Sequence, residues 1–130
     1  MKPINILLVD DSDIDLFLHQ TFLSKCEWVN SIIQFNSGIS ALAYLADCSI
    51  ANWPDLILLD IQMPIMNGFE FLTKFNYFED EFINKCKVIM VSSSLDFGDN
   101  SRARANSIAL DLLPKPLNTA QLFEIIKDKY

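Results

Sequence analysis

The chain has 130 residues, of which 51% are hydrophobic and 21% charged. That is the size of one ordinary domain with ample material for a core, and it excludes a disordered segment. Acids outnumber bases 17 to 10, for a net charge of -7, which argues against direct DNA binding because a phosphate backbone needs a basic face.

The elements read in chain order as apolar runs alternating with amphipathic stretches. Ile4 to Val9 is a short apolar strand broken only by Asn5. Asp13 to Lys25 carries Ile14, Phe17, Leu18 and Phe22 at helical spacing, with Ser12 in the N-cap position. Ser31 to Phe35 is β-rich. Ser37 to Ala46 reads as a helix with Ile39, Leu42, Ala43 and Ala46 along one face. Asp55 to Leu59 is a fully apolar strand after its first residue. Asn67 to Phe78 reads as a helix whose Phe71, Leu72, Phe75 and Phe78 pack into the core. Val88 to Val91 is another apolar strand. Phe97 to Asn106 is polar and weakly helical, and Gly98 to Asn106, with Arg102 and Arg104, is expected to be mobile. Ile108 to Leu113 is the last strand. Asn118 to Lys129 is a helix with Asn118 as N-cap and Gln121 as its capping-box partner.

This is a strand–helix unit repeated five times. Continuous apolar strands alternating with helices predict an α/β fold, a parallel sheet covered on both faces, with right-handed crossovers. No apolar run reaches the ~18 residues that a membrane span needs, and the N-terminus lacks the apolar stretch and cleavage site of a signal peptide. Cys26, Cys48 and Cys86 are odd in number and widely spaced. They fit neither a disulfide framework nor a zinc site, and reduced thiols in the cytoplasm are expected.

In an open α/β sheet, ligands bind beyond the carboxyl ends of the strands. At those ends stand Asp10 and Asp11, then Asp60, then Ser92, Ser93 and Ser94, then Lys115 between Pro114 and Pro116. Carboxylates gathered that closely repel one another unless a counter-charge is present. With hard oxygen donors and no His or Cys nearby, Mg²⁺ is favoured, with Mn²⁺ as the alternative. Mg²⁺ held by few carboxylates awaits a phosphoryl oxygen. Asp60 is placed as a carboxylate nucleophile, Lys115 as a point charge for a phosphoryl oxygen, and Ser92 as a hydrogen-bond donor to another. Asp13 and Asp15 read as first-turn acids on the helix dipole. His19, the one histidine, reads as a surface residue and not a phosphoryl carrier.

Leu7-Leu8-Val9-Asp10-Asp11-Ser12, Asp55 through Gly68 with its Asp60-Ile61-Gln62-Met63-Pro64-Ile65-Met66-Asn67-Gly68 run, Val91-Ser92-Ser93, and Lys115-Pro116-Leu117 resemble the receiver domain of two-component response regulators. The resemblance spans essentially the whole chain and implies a stand-alone receiver over residues 1–130 without an output domain. It implies a (βα)5 doubly wound, flavodoxin-like fold with strand order 2-1-3-4-5. Asp60 would accept a phosphoryl group from a sensor histidine kinase or a histidine phosphotransfer protein. Asp11, Asp60 and the Gln62 backbone carbonyl would bind Mg²⁺ directly, and Asp10 through a metal-bound water. Ser92 would be the hydroxyl switch, and the Lys115–Pro116 bond would be cis. Gly68 stands where a side chain would crowd the turn. The kinase would dock near Ile14, Asp15, Leu18 and Pro116, and Gln62 and Ser94 would limit the hydrolytic water. Such a domain catalyses only its own phosphorylation and slow dephosphorylation, and acts on a downstream protein partner.

One departure stands out. Leu112 occupies the position three residues before the lysine where the family commonly has Tyr or Phe, so no ring is available to swing inward. Three other readings compete. Asp11-Ser12-Asp13 gives the Asp-x-Asp of a haloacid-dehalogenase-like phosphatase, which also needs an acidic pair after the lysine-bearing strand. The acids after Lys115 are Glu124 and Asp128, inside the last helix. Asp11, Asp13 and Asp15 fit the first ligand positions of a calcium loop, but Leu16 and Phe22 stand where that loop needs Gly and Glu. A degenerate receiver that binds partners without phosphorylation would not need competent residues at all five site positions.

Overall fold

The computed structural model of the chain describes residues 1–94 and 97–130. Its strands are β1 (Ile4–Val9), β2 (Val29–Phe35), β3 (Leu56–Asp60), β4 (Lys87–Ser92) and β5 (Ala109–Pro114). They form one parallel sheet in the order β2-β1-β3-β4-β5. The helices are α1 (Asp13–Ser24), α2 (Gly38–Asp47), α3 (Gly68–Phe75), α4 (Asp80–Lys85), α5 (Phe97–Ala105) and α6 (Thr119–Ile126). Among the described residues no helix is long and apolar enough to cross a membrane.

Alternation along the strands builds two cores. Leu7, Val9, Ile57, Leu59, Val88 and Met90 face a layer that includes Ala41 and Leu45 of α2, Phe71, Leu72 and Phe75 of α3, and Ala103 of α5. Ile6, Leu8, Leu56, Leu58, Ile89 and Val91 face Leu16 and Leu23 of α1 and Leu122 and Ile126 of α6. β3 is buried at all five positions, as a central strand covered on both faces must be. Each of the apolar side chains from Leu56 to Leu59 contributes about 1.5–3 kcal/mol by leaving water.

Three sequence expectations are corrected by the packing. The inward face of α1 is Leu16, His19 and Leu23, whereas Ile14 and Phe17 are 74% and 69% exposed. The helix is apolar on two sides, and the sheet takes the side on which Leu16 and Leu23 can reach the strands. On α2 the buried set is Gly38, Ala41 and Leu45, while Ile39 and Ala43 are exposed. The Phe-rich helix ends at Phe75, and α4 follows it as a separate element. The break lets Phe75, Phe78 and Phe82 surround the fully buried Trp53. The ammonium of Lys85 then closes that corner on the carbonyls of Ile50 and Trp53, at 2.8 and 2.6 Å.

The caps follow the sequence. Ser12 Oγ accepts the Asp15 N–H, and Asn67 and Glu70 form a reciprocal capping box on α3. Asn118 accepts the Gln121 N–H, the forward half of the expected box on α6. On α5, Ala103 is buried and the Arg102 guanidinium lies 3.9 Å from the centre of the Phe69 ring.

Register fixes what the sheet presents at its carboxyl edge. Val9 pairs with Leu59, Asp60 with Val91, and Ser92 with Pro114. The residues next along the chain therefore emerge side by side.

Candidate functional site

The carboxylate oxygens of Asp10, Asp11 and Asp60 approach within 4.8 Å of one another. Asp10 and Asp60 are each 3% exposed and Asp11 is open to solvent. Asp60 ends β3, and its position is fixed because Ile61 N–H continues the ladder to the Val91 carbonyl at 3.2 Å. Asp10 is fixed by its Oδ1, which accepts the Ser12 N–H at 2.9 Å.

Lys115 enters from the end of β5. Its backbone N–H donates to the Ser92 carbonyl at 2.9 Å, and the peptide bond to Pro116 is cis, as expected. Its ammonium reaches into the acidic cluster. Lys115 Nζ lies 2.7 Å from Asp10 Oδ2, 2.9 Å from Asp15 Oδ2 and 3.3 Å from Asp60 Oδ1. The approach to Asp15 is a directed hydrogen bond. Asp15, expected as a first-turn acid and a docking contact, is thus turned into the site. Asp13 stays exposed.

The charges act on one another. Burial, and then the neighbouring charge of Asp10, push the Asp60 carboxyl up to about 7, against the pull of Lys115. Burial alone would lower Lys115, but the carboxylates of Asp10, Asp15 and Asp60 against its ammonium outweigh that and hold it above the usual lysine range. The Lys115 hydrogen bond holds Asp15 below the usual carboxylate range.

This donor set fits a hard divalent cation. All its ligand atoms are oxygens, and Asp10 Oδ2 is buried with no hydrogen-bond donor aligned on it, although the Lys115 ammonium stands close by. Three carboxylates against one ammonium leave negative charge that a Mg²⁺ or Mn²⁺ ion would balance.

Ser92 is buried, and its hydroxyl is engaged by Ser94: it donates to the Ser94 carbonyl at 2.8 Å and accepts the Ser94 N–H at 3.1 Å. Ser94 and Gln62 are exposed. Leu112 is half-buried, in register with Met90, and packs on the core shared by α3 and α5. Ile14 and Pro116 are exposed and Leu18 is half-buried.

His19 is not the surface residue the sequence suggested. It is 3% exposed, and its Nε2 accepts the Leu117 N–H at 3.3 Å. Burial keeps its pKa low, ahead of the opposing pull of Asp10, so the ring is a neutral acceptor. Its signal was its spacing, three residues after Leu16 and four before Leu23.

The parallel sheet, the acidic cluster at its carboxyl edge and the lysine on a cis-proline loop define a receiver domain. A family model described as the response regulator receiver domain matches residues 6–127, and the chain belongs to that family. The polar-differentiation response regulator DivK of Brucella ovis is 29% identical over 123 residues, covering 95% of this chain and 93% of DivK. The crystal structure of a response regulator receiver protein from Dyadobacter fermentans matches with a TM-score of 0.88 at 36% identity, over 95% of each chain. The Mn²⁺-bound form of response regulator Rcp1 matches with a TM-score of 0.71 at 27% identity, over 97% of this chain and 91% of that one.

Proposed function

We propose that the chain is a phosphorylation-controlled binding module whose Asp60 accepts a phosphoryl group from a phosphohistidine on a sensor kinase or phosphotransfer protein. The observation that carries this reading is the cluster of Asp10, Asp11 and Asp60 oxygens with Lys115 Nζ 3.3 Å from Asp60. It is a nucleophile, a set of metal ligands and a counter-charge at one point.

An Asp60 carboxylate oxygen forms the new P–O bond as the donor's P–N bond breaks, and the electron pair leaves on the imidazole nitrogen. Asp10, Asp11, Asp60 and the Gln62 backbone carbonyl would hold Mg²⁺ or Mn²⁺. Such an ion, when bound, supplies positive charge to the phosphoryl oxygens and the acyl phosphate. The ammonium of Lys115 neutralises another phosphoryl oxygen. Ser92 gives up its bonds to Ser94 and donates its hydroxyl to a third. Gln62 and Ser94, exposed at the mouth, limit the water that hydrolyses the product. No separate substrate is turned over.

In this reading the donor protein docks on Ile14, Asp15, Leu18 and Pro116, of which Ile14 and Pro116 are exposed. The output is a change in protein partners, in the cytoplasm, with Leu112 repacking where a ring would otherwise swing. Phosphorylation biases an equilibrium between two loop arrangements.

The test is intact mass after incubation with Mg²⁺ and a small acyl-phosphate donor. A base-labile phosphoryl adduct is expected on the wild type and not on Asp60→Asn or in chelator. An adduct that persists on Asp60→Asn, or none on a wild type that binds Mg²⁺ and receives a cognate kinase, would overturn the reading.

A further inference from the structure

Lys115 carries one positive charge and serves three carboxylates. Two of them, Asp10 and Asp60, have side chains only 4% exposed, whereas that of Asp15 is 30% exposed. The Asp15 partner is the one with a directed hydrogen bond, at 2.9 Å, and the Asp60 approach is the longest, at 3.3 Å. Lys115 is therefore held between the reacting carboxylate and an acid on the first turn of α1.

We propose that Asp15 is a positioning residue that shares Lys115 in the unphosphorylated protein and releases it when a phosphoryl group arrives on Asp60. This rests on the phosphoacceptor reading of Asp60. A phosphoryl group brings more than one negative charge and three acceptor oxygens to the site. The ammonium has three donors and one charge, so the new oxygens compete for what Asp15 holds. Asp15 is the partner that gives way, because its partly exposed carboxylate regains water when the bond breaks. Asp10 and Asp60 are buried and have no such compensation. The freed charge remains on the first turn of α1, where the helix dipole favours it.

The exchange is wired to a second contact. Asp15 and His19 lie one turn apart on α1, and they hold Lys115 and Leu117, two residues apart on the β5–α6 loop. Breaking the first link leaves the Leu117–His19 hydrogen bond joining α1 to the loop, and the exposed Ile14 and Pro116 are the chain neighbours of Asp15 and Leu117. The proposed docking face thus senses whether Lys115 is engaged by the phosphoryl group.

Fluoroberyllate with Mg²⁺ is the probe, as a stable surrogate for the phosphoryl group, measured by calorimetry on the full chain. Asp15→Asn is expected to bind the surrogate about tenfold more tightly than the wild type, the equivalent of one released charge-assisted hydrogen bond. Its affinity for Mg²⁺ alone should move less than about twofold, since the coupling is to the phosphoryl position. Asp15→Glu, which keeps the carboxylate, should return surrogate binding toward wild type. A merely structural role for Asp15 would lower thermal stability equally with and without the surrogate. The proposed role makes the loss on Asp15→Asn smaller in the surrogate-bound form. Unchanged or weakened surrogate binding by a folded Asp15→Asn overturns the proposal and leaves Asp60 as acceptor untouched. Should Asp15→Asn not fold, Asp15→Ala and Asp15→Glu provide the same comparison. A wild type that binds Mg²⁺ and not the surrogate overturns both this proposal and the reading beneath it.

Discussion

A Cβ placed on Gly68 would lie 2.7 Å from the backbone carbonyl oxygen of Asp60. It would also lie 3.0 Å from Ile61 Cα, while the Gly68 N–H donates to the Ile61 carbonyl at 2.8 Å. The first residue of α3 is thus packed directly on the end of β3, and the loop between them must turn in that space. Neither backbone neighbour is free to move, since β3 is buried throughout and Ile61 is bonded to Val91. Gly68→Ala is expected to cost about 2 kcal/mol, the scale of overpacking in a filled core. The urea midpoint should fall with an unchanged slope. An unaltered midpoint would show that the loop yields freely.

Asp60→Asn should stabilise the metal-free protein at neutral and higher pH. The unfolded carboxyl titrates near its ordinary 3.8 and the folded one at about 7. The native state therefore binds more protons between those values, and stability falls as pH rises through that window. Asn removes the loss. At about 1.4 kcal/mol for each pKa unit the gap between 3.8 and 7 sets a ceiling of about 4 kcal/mol, and solvent at the open side of the site screens it, so a gain of about 2 kcal/mol is expected at pH 8 in chelator. Added Mg²⁺ should reverse the order, raising the melting temperature of the wild type more than that of Asp60→Asn. Equal melting temperatures at pH 8 in chelator would reject the prediction.

His19 gives the opposite slope. Its folded pKa is depressed, chiefly by burial, below the ordinary 6.5. The unfolded chain then binds the extra proton, so this contribution is intact above about pH 6.5 and is lost as pH falls below it. Protonation would also remove the lone pair that accepts the Leu117 N–H. Because Asp60 tilts the other way, the measurement belongs in an Asp60→Asn background. There, stability should drop between pH 7.5 and 5.5, and His19→Gln, which retains an acceptor, should flatten the drop. A slope unchanged by His19→Gln would mean that the ring binds its proton as readily in the folded protein as in the unfolded chain.

Much of this site is visible in the sequence because a parallel sheet imposes few alternatives. Strands buried on both faces read as unbroken apolar runs, and whatever ends them lies at one edge. Asp10, Asp60, Ser92 and Lys115 could be brought together on that ground alone. The helix faces were harder. In α1, Ile14, Phe17, Leu18 and Phe22 have helical spacing, and so do Leu16, His19 and Leu23. Periodicity does not say which stripe meets the sheet. The 3.3 Å bond from Leu117 to His19 joins residues 98 apart in sequence, so local pattern holds no trace of it. Asp15 was obscured differently: an acid in a first helical turn already has a local explanation, which conceals its bond to Lys115. α4 was missed because Phe78 and Phe82 continue the apolar spacing of α3 across the break.

Ile65 is the clearest place where the chain departs from what its local residues prefer. It has φ of 70°, the left-handed region, and is 89% exposed. The Met66 N–H donates to the Pro64 carbonyl at 2.7 Å, closing a three-residue turn about Ile65. A β-branched residue is poorly suited to that backbone, and an ordinary L-residue there is disfavoured by roughly 1–2 kcal/mol. So little of the side chain is buried that its replacement removes little packing. Ile65→Asn, whose side chain tolerates this conformation, is expected to raise stability by about 1 kcal/mol. That corresponds to a melting temperature about 4 °C higher in a domain of this size. Ile65→Gly should gain less, because glycine also adds freedom to the unfolded chain. Stability ordered Asn, then Gly, then Ile would locate strain in the loop that joins Asp60 to α3. Wild type as the most stable of the three would mean that Ile65 makes a stabilising contact outweighing its backbone cost.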